Sequence, residues 1–255
     1  MYDVIAIIQA RLNSTRLPNK VLKKINNKTI LEIIVDRISR SKYIDKIVIA
    51  TSVAESDDKL CEFIQNNLSC DIVRGSLDNV LERFYKVSDR YKSKYIVRIT
   101  ADDPFKDPLV IDKCIETILK DSAIDYCSNT MVPTYPEGLD VEVFKASALN
   151  KAYKEASLLS EKEHVTPYIW KNKNIFKTFN ITNDEDLSNW RWTVDKPEDF
   201  TFVTEIYKHF HYNFNISYKN IIEYIKQNPD LLKINNNTIR NEGYFKSIKE
   251  EQCKN

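Results

Sequence analysis

Val4-Ile5-Ala6-Ile7-Ile8, followed at once by Gln9-Ala10-Arg11-Leu12-Asn13-Ser14-Thr15-Arg16-Leu17-Pro18-Asn19-Lys20, decides the fold. Five consecutive apolar residues rich in β-branched side chains predict a buried β-strand. The polar stretch behind it places Arg11, Arg16 and Lys20 within ten residues, with the hydroxyls of Ser14 and Thr15 between them. A loop at the carboxyl end of a first strand is where open α/β sheets bind phosphorylated ligands. A triphosphate needs backbone N–H donors and several cations, because its charge must be neutralised before a nucleophile can approach. A solvated basic loop is the plainer reading of the same residues.

Outward from that stretch, helical and strand periods alternate. Thr29, with Glu32 three positions on, opens a helix over residues 30–41 in the pattern of a capping box. Strands are expected at Asp45–Thr51, Asp71–Val73 and Tyr95–Thr100, with helices at 57–68, 78–92 and 108–120 between and after them. A short strand follows at 125–128. This order predicts an α/β fold, doubly wound around a mostly parallel sheet of six or seven strands. After Pro133 the pattern loosens. Leu139–Phe144, Ile175–Ile181 and Trp190–Val194 read as strands, and 146–157, 161–171, Pro197–His209 and 217–227 as helices. Residues 1–230 are expected to form one domain, with 231–255 a polar tail.

Bulk properties narrow the function. The 255 residues carry a formal net charge of +1 and are 42% hydrophobic, enough for one large core. No long basic face marks a nucleic-acid partner. Apolar runs of about five residues are far short of the ~20 that a membrane-spanning helix needs. With no basic leader before the first strand, a cytoplasmic location is expected. The five cysteines form no Cys-x-x-Cys pair, which fits reduced thiols better than a zinc site.

Further constellations follow strand ends. In Arg98-Ile99-Thr100-Ala101-Asp102-Asp103-Pro104, Asp102 suits Mg²⁺, which takes one or two carboxylates and otherwise water and phosphate oxygens. Asp102 or Asp103 could equally cap the next element. Asp195, in Arg191-Trp192-Thr193-Val194-Asp195-Lys196-Pro197, is a second metal ligand or a helix cap. Arg74-Gly75-Ser76 could approach a base or phosphate, or form a plain turn. Asp140 and Glu142 face an acceptor or solvent, and His164 is a structural or acceptor-binding residue. Ser14 lacks the elbow and adjacent base of a covalent nucleophile.

Taken in order, these motifs resemble the cytidylyltransferases that activate acidic sugars, and within them the branch of the spore coat polysaccharide protein SpsF. The resemblance runs over about residues 3–210 and rests on Gln9–Lys20, Arg74–Leu81, Arg98–Pro104, Gly138–Glu142, Glu163–Pro167 and Arg191–Asp199. It implies a three-layer α/β/α nucleotidyltransferase fold with about seven strands, Mg²⁺ dependence and CTP as donor. The implied nucleotide site is Ala10, Arg11, Ser14, Thr15, Arg16, Lys20, Arg74 and Thr100, with Arg11, Arg16, Lys20 and Asp102 catalytic. Asp102 and Asp195 would hold the metal. Asp140, Glu142, His164 and Arg191 would meet a sugar acid or a phosphorylated sugar or polyol. The irregular 133–185 segment would serve acceptor binding and a homodimer contact. Where the family loop carries Gly, this chain has Asn13 and Asn19, and Asn tolerates positive φ better than most residues. A metal-dependent glycosyltransferase using a nucleotide-sugar is the alternative of a different class.

Overall fold

The first strand, β1 (Val4–Gln9), is buried on both faces, and its alternate side chains feed two separate cores. Val4, Ala6 and Ile8 join one cluster, Ile5 and Ile7 the other, as the two-residue strand period requires. The computed structural model describes residues 3–14, 16–236 and 238–253. A tight turn at Lys20–Leu22 leads to a small hairpin, β2 (Lys24–Ile25) and β3 (Lys28–Thr29), and then α1 (Ile30–Ile38). The chain continues through β4 (Lys46–Ser52), α2 (Asp58–Asn67), β5 (Asp71–Gly75), α3 (Val80–Tyr91), β6 (Tyr95–Thr100), α4 (Pro108–Lys120) and β7 (Tyr126–Ser128). It ends with β8 (Glu142–Lys145), α5 (Ala146–Glu155), α6 (Leu159–His164), α7 (Pro167–Lys171), β9 (Thr178–Asn180), α8 (Pro197–His209), α9 (Tyr218–Gln227) and α10 (Glu242–Gln252).

Seven strands form one sheet in the order β5-β4-β1-β6-β8-β7-β9. Only β8 runs against its neighbours β6 and β7; the other pairings are parallel. The α/β class and the mostly parallel sheet are as the alternation predicts. Gln9 pairs with both Ala50 and Thr100, so β1 and β6 end level and β4 runs two residues further, to Ser52. Every loop leaving those ends therefore meets at one sheet edge, where ligands of such folds bind. α1 and α4 pack on one face, α3 and α5 on the other. The predicted capping box is present: Thr29 N donates to Glu32 at 2.7 Å and Glu32 N to the Thr29 hydroxyl at 3.2 Å.

Five readings after Pro133 need correction. The strand expected at Ile175–Ile181 is only Thr178–Asn180. The helix expected over 161–171 is two helices, α6 and α7. Pro167 has no N–H to continue α6, and Val165 turns to φ +71 with Thr166 N bonded to His164 O at 2.8 Å. The strand expected at Leu139–Phe144 begins only at Glu142. Trp190–Val194 does not enter the sheet; its one ladder contact is a bridge between Arg191 and Glu137. Gly138 makes that approach possible: at φ +110, a Cβ there would lie 2.8 Å from the Trp192 carbonyl carbon. Finally, residues 242–252 of the expected tail form α10.

Candidate active site

The cation-rich loop is built on a buried carboxylate. Asp57, fully buried, accepts Leu12 N at 2.8 Å and also the backbone N–H and hydroxyl of Ser52, at the end of β4. Leu12 O then accepts from Ser14 N at 2.8 Å and Asn19 N at 3.2 Å, while Leu17 N bonds the Ser14 hydroxyl at 3.3 Å. Asn19 takes the left-handed conformation, φ +54, that Gly would tolerate without cost; Asn13 does not. Ala10 N bonds Ala50 O at 3.1 Å. Thr15 lies outside the described residues.

The loop folds Lys20 back onto two distant carboxylates. Its Nζ lies 2.7 Å from Asp102 Oδ2 and 2.7 Å from Asp195 Oδ1. A single backbone bond brings the two acids together: Val194 N donates to Asp102 O at 2.8 Å. Arg16 reaches Asp195 at 2.9 Å and Glu242 of α10 at 2.6 Å. Burial opposes the charge on Lys20, but Asp102 and Asp195 outweigh it and hold the ammonium above its ordinary range. Burial pushes the Asp102 carboxyl up despite Lys20. Asp195 is buried too, yet Lys20, Arg16 and Arg191 hold its carboxyl well below the usual carboxylate range.

Arg191 is saturated: Nε meets Asp199 at 2.9 Å, Nη1 meets Glu137 at 2.7 Å and Nη2 meets Asp195 at 3.2 Å. It positions Asp195 and has little left for an acceptor. Beside this network opens a cavity of about 640 Å³, reaching from Gln9, Thr100 and Asp102 to His164, Trp170 and residues 241–245. Thr100 bonds Asp103 at 2.5 Å. Asp140 pairs with Arg240. Glu142 is engaged by Arg98, Thr166 and, at 2.7 Å, the Tyr126 hydroxyl. His164 Nε2 meets the Ser247 hydroxyl at 3.0 Å. Asp140, Glu142, His164 and Arg191 therefore all line the cavity, but each already has protein partners.

The comparisons with known proteins decide the family. The sequence model of the cytidylyltransferase family matches residues 5–242. The chain belongs to the cytidylyltransferase family. Uncharacterized protein MJ1063 of Methanocaldococcus jannaschii is 41% identical over 94% of this chain and 97% of its own. The spore coat polysaccharide biosynthesis protein SpsF of Bacillus subtilis is 34% identical, covering 90% of this chain and 97% of its own. Among solved structures, a cytidylyltransferase from Leptospira borgpetersenii superposes with a TM-score of 0.87 at 33% identity, over 94% of this chain and 99% of that one. This cytidylyltransferase is thus a nucleotidyltransferase of the expected α/β/α class, which sets the glycosyltransferase alternative aside.

Within this cytidylyltransferase the sheet edge collects Arg16, Lys20, Asp102 and Asp195. Arg11 stands exposed and has no ion pair among the described residues. Arg74, expected to read the base, instead donates to Ser52 O and Ala54 O and pairs with Asp58 at 2.7 Å, so it ties β5 to the start of α2. Three contributors escape a sequence reading. Asp57 shapes the loop from 45 residues away. Gln9 accepts Arg98 Nε at 3.1 Å and lines the cavity. Residues 240–245 close the cavity from the far end of the chain. Asp57 and residues 240–245 lie outside every motif, and Gln9, though it opens the first motif, shows its contact with Arg98 only in three dimensions.

The donors fit a magnesium ion. Two carboxylate oxygens converge on one cation, Lys20 Nζ, and no group of three or more His, Cys, Asp or Glu forms a metal cage among the described residues. One or two carboxylates completed by water and phosphate oxygens is the coordination Mg²⁺ takes at triphosphates.

Proposed function

We propose that the protein transfers CMP from CTP to a sugar acid or a phosphorylated sugar or polyol, with release of pyrophosphate and with Mg²⁺ as cofactor. The observation that carries the reading is the convergence of Lys20, Arg16, Asp102 and Asp195 where the level ends of parallel strands meet a polar cavity. In this reading Arg11, Arg16 and Lys20 hold the triphosphate, exchanging carboxylate partners for phosphate oxygens. An acceptor oxygen in the cavity attacks the α-phosphorus in line, and the electron pair of the α–β bridge leaves with pyrophosphate. Positioning and electrostatics suffice for this transfer, so no protein nucleophile is required. Asp102 and Asp195 would hold Mg²⁺, which supplies charge neutralisation at the phosphates. The reading gains support from the name of SpsF, which places a similar chain in polysaccharide biosynthesis. A homodimer contact through 133–185 belongs to the same proposal; light scattering should give twice the chain mass of 29.9 kDa.

The test is incubation with CTP, Mg²⁺ and a panel of acceptors of both classes. Pyrophosphate should appear only with CTP, Mg²⁺ and a competent acceptor together. Release that is equal with all four nucleotides, or independent of every sugar and polyol, would overturn the assignment.

A further inference from the structure

Three arginines in the chain are almost completely buried, and they differ in one respect. Arg37, 2% exposed, donates to the carbonyls of Lys106 at 2.6 Å and Phe214 at 2.7 Å. Arg191, 6% exposed, meets three carboxylates. Arg83, 2% exposed, has neither: its Nε and Nη1 are buried and bond nothing among the described residues. A buried guanidinium without a partner is among the most costly arrangements a fold can keep.

Its surroundings say what it is kept for. Arg83 sits on α3 just past the β5–α3 turn, and Gly75 makes room for its stem: a Cβ there would lie 2.9 Å from Arg83 Cγ. The charges acting on its head are Arg11, which repels it, and Asp57 and Glu82, which attract it. Both acids are already committed. Asp57 holds Leu12 N and Ser52, and Glu82 holds Ser76 N at 2.8 Å and Lys86 at 2.6 Å. Burial, with Arg11 adding to it, pulls the guanidinium down to about 10, the direction expected of a cation awaiting a counter-charge. Gly75 pairs with Ser52, and Ser52 and Leu12 share Asp57, so Arg83 stands beside the cation-rich loop with two guanidinium nitrogens buried and unpartnered among the described residues.

We infer that Arg83 is a buried ligand of the phosphate chain of the nucleotide, standing beside the loop that Asp57 anchors. The inference rests on the nucleotidyl-transfer reading for the identity of the anion, though not for its charge. Arg83 is unassigned by any motif, whereas Arg74 is tied to Asp58.

The test compares wild type with Arg83→Met and Arg83→Lys, measuring thermal melting and calorimetric binding of CTP, CMP and inorganic tripolyphosphate. Arg83→Met should melt at the same temperature as wild type or higher without ligand, because it removes an unpartnered buried charge. It should bind CTP and tripolyphosphate at least ~30-fold more weakly, with CMP less affected. Arg83→Lys keeps the charge but not the fork and should weaken both by several-fold. A structural arginine would give the opposite pattern: a lower melting point without ligand and affinities within twofold of wild type, which overturns the inference. If Arg83→Met fails to fold, unchanged tripolyphosphate and CTP affinity in Arg83→Lys overturns it as well. Failure of the wider reading looks different. Tripolyphosphate binding that depends on Arg83, in a protein that never uses CTP, would support the anion site and sink the proposed reaction. Normal CTP turnover with indifferent Arg83 variants would do the reverse.

Discussion

The two sides of the cleft treat charge in opposite ways. On the Asp102 side, Lys20, Arg16 and Arg191 each have carboxylate partners, and together they hold Asp102, Asp195, Asp199, Glu137 and Glu242. On the Arg11 side, Arg11 and Arg83 have no ion pair among the described residues. The first side keeps its shape without ligand because its inner members, Lys20 and Arg191, each neutralise buried carboxylates. The second is held by Asp57 and backbone bonds, so its cations stay available to an anion. A nucleotide would then bind readily to the open side, while reaction requires the balanced side to exchange partners.

The comparison breaks most severely at Asp102. Asp102→Asn keeps the shape but halves the acid pair, and kcat/KM is expected to fall by about 10³-fold with loss of Mg²⁺ response. Near-normal turnover in a magnesium titration would defeat the metal assignment. Next, Arg191→Leu should destabilise the fold by about 3–5 kcal/mol, because Asp199 and Glu137 lose their buried partner. Urea unfolding reads this directly, and a loss under 1 kcal/mol would mean the balanced side is not self-supporting. Lys20→Ala should lower kcat by about 10²-fold, since the ammonium faces charge that grows in the transition state; a variant that turns over normally removes Lys20 from the mechanism.

The last effect concerns pH and touches stability, not turnover. Burial, with the Arg98 charge adding to it, holds His164 down to about 4 from 6.5, against the pull of Glu163, Glu142 and Glu251. The unfolded chain therefore binds a proton between those values that the folded chain does not. Stability is complete above pH 6.5 and falls as the pH drops toward 4, by at most about 3 kcal/mol. His164→Gln should flatten that slope, and equal slopes for both proteins between pH 4.5 and 6.5 would contradict the buried neutral imidazole at the Ser247 contact.

The same divide governs what the sequence discloses. β1 and β4 are legible because parallel strands bury both faces and carry apolar runs, Val4–Ile8 and Ile47–Ala50, and β6 because only Arg98 interrupts its apolar residues. Lys20 is legible from its spacing on the loop. That Asp102 and Asp195 face each other comes only through the family resemblance and not from strand pattern, because it depends on a backbone bond outside any strand, Val194 N to Asp102 O. The break at Val165 hides inside a helical pattern, and α10 gains its role only through contacts with Arg16, His164 and Ser160. Arg83 hides for a plainer reason: between Leu81 and Phe84, and next to Glu82, it looks like any charged residue on an amphipathic helix.

The most direct measurement follows the phosphorus atoms. With CTP labelled at the α-phosphorus or at the γ-phosphorus and a competent acceptor, the account predicts that α-label passes to the acceptor product and γ-label to pyrophosphate, in equal amounts. Label from the γ-phosphorus in the acceptor, or α-label recovered only as free CMP, would contradict nucleotidyl transfer at this site.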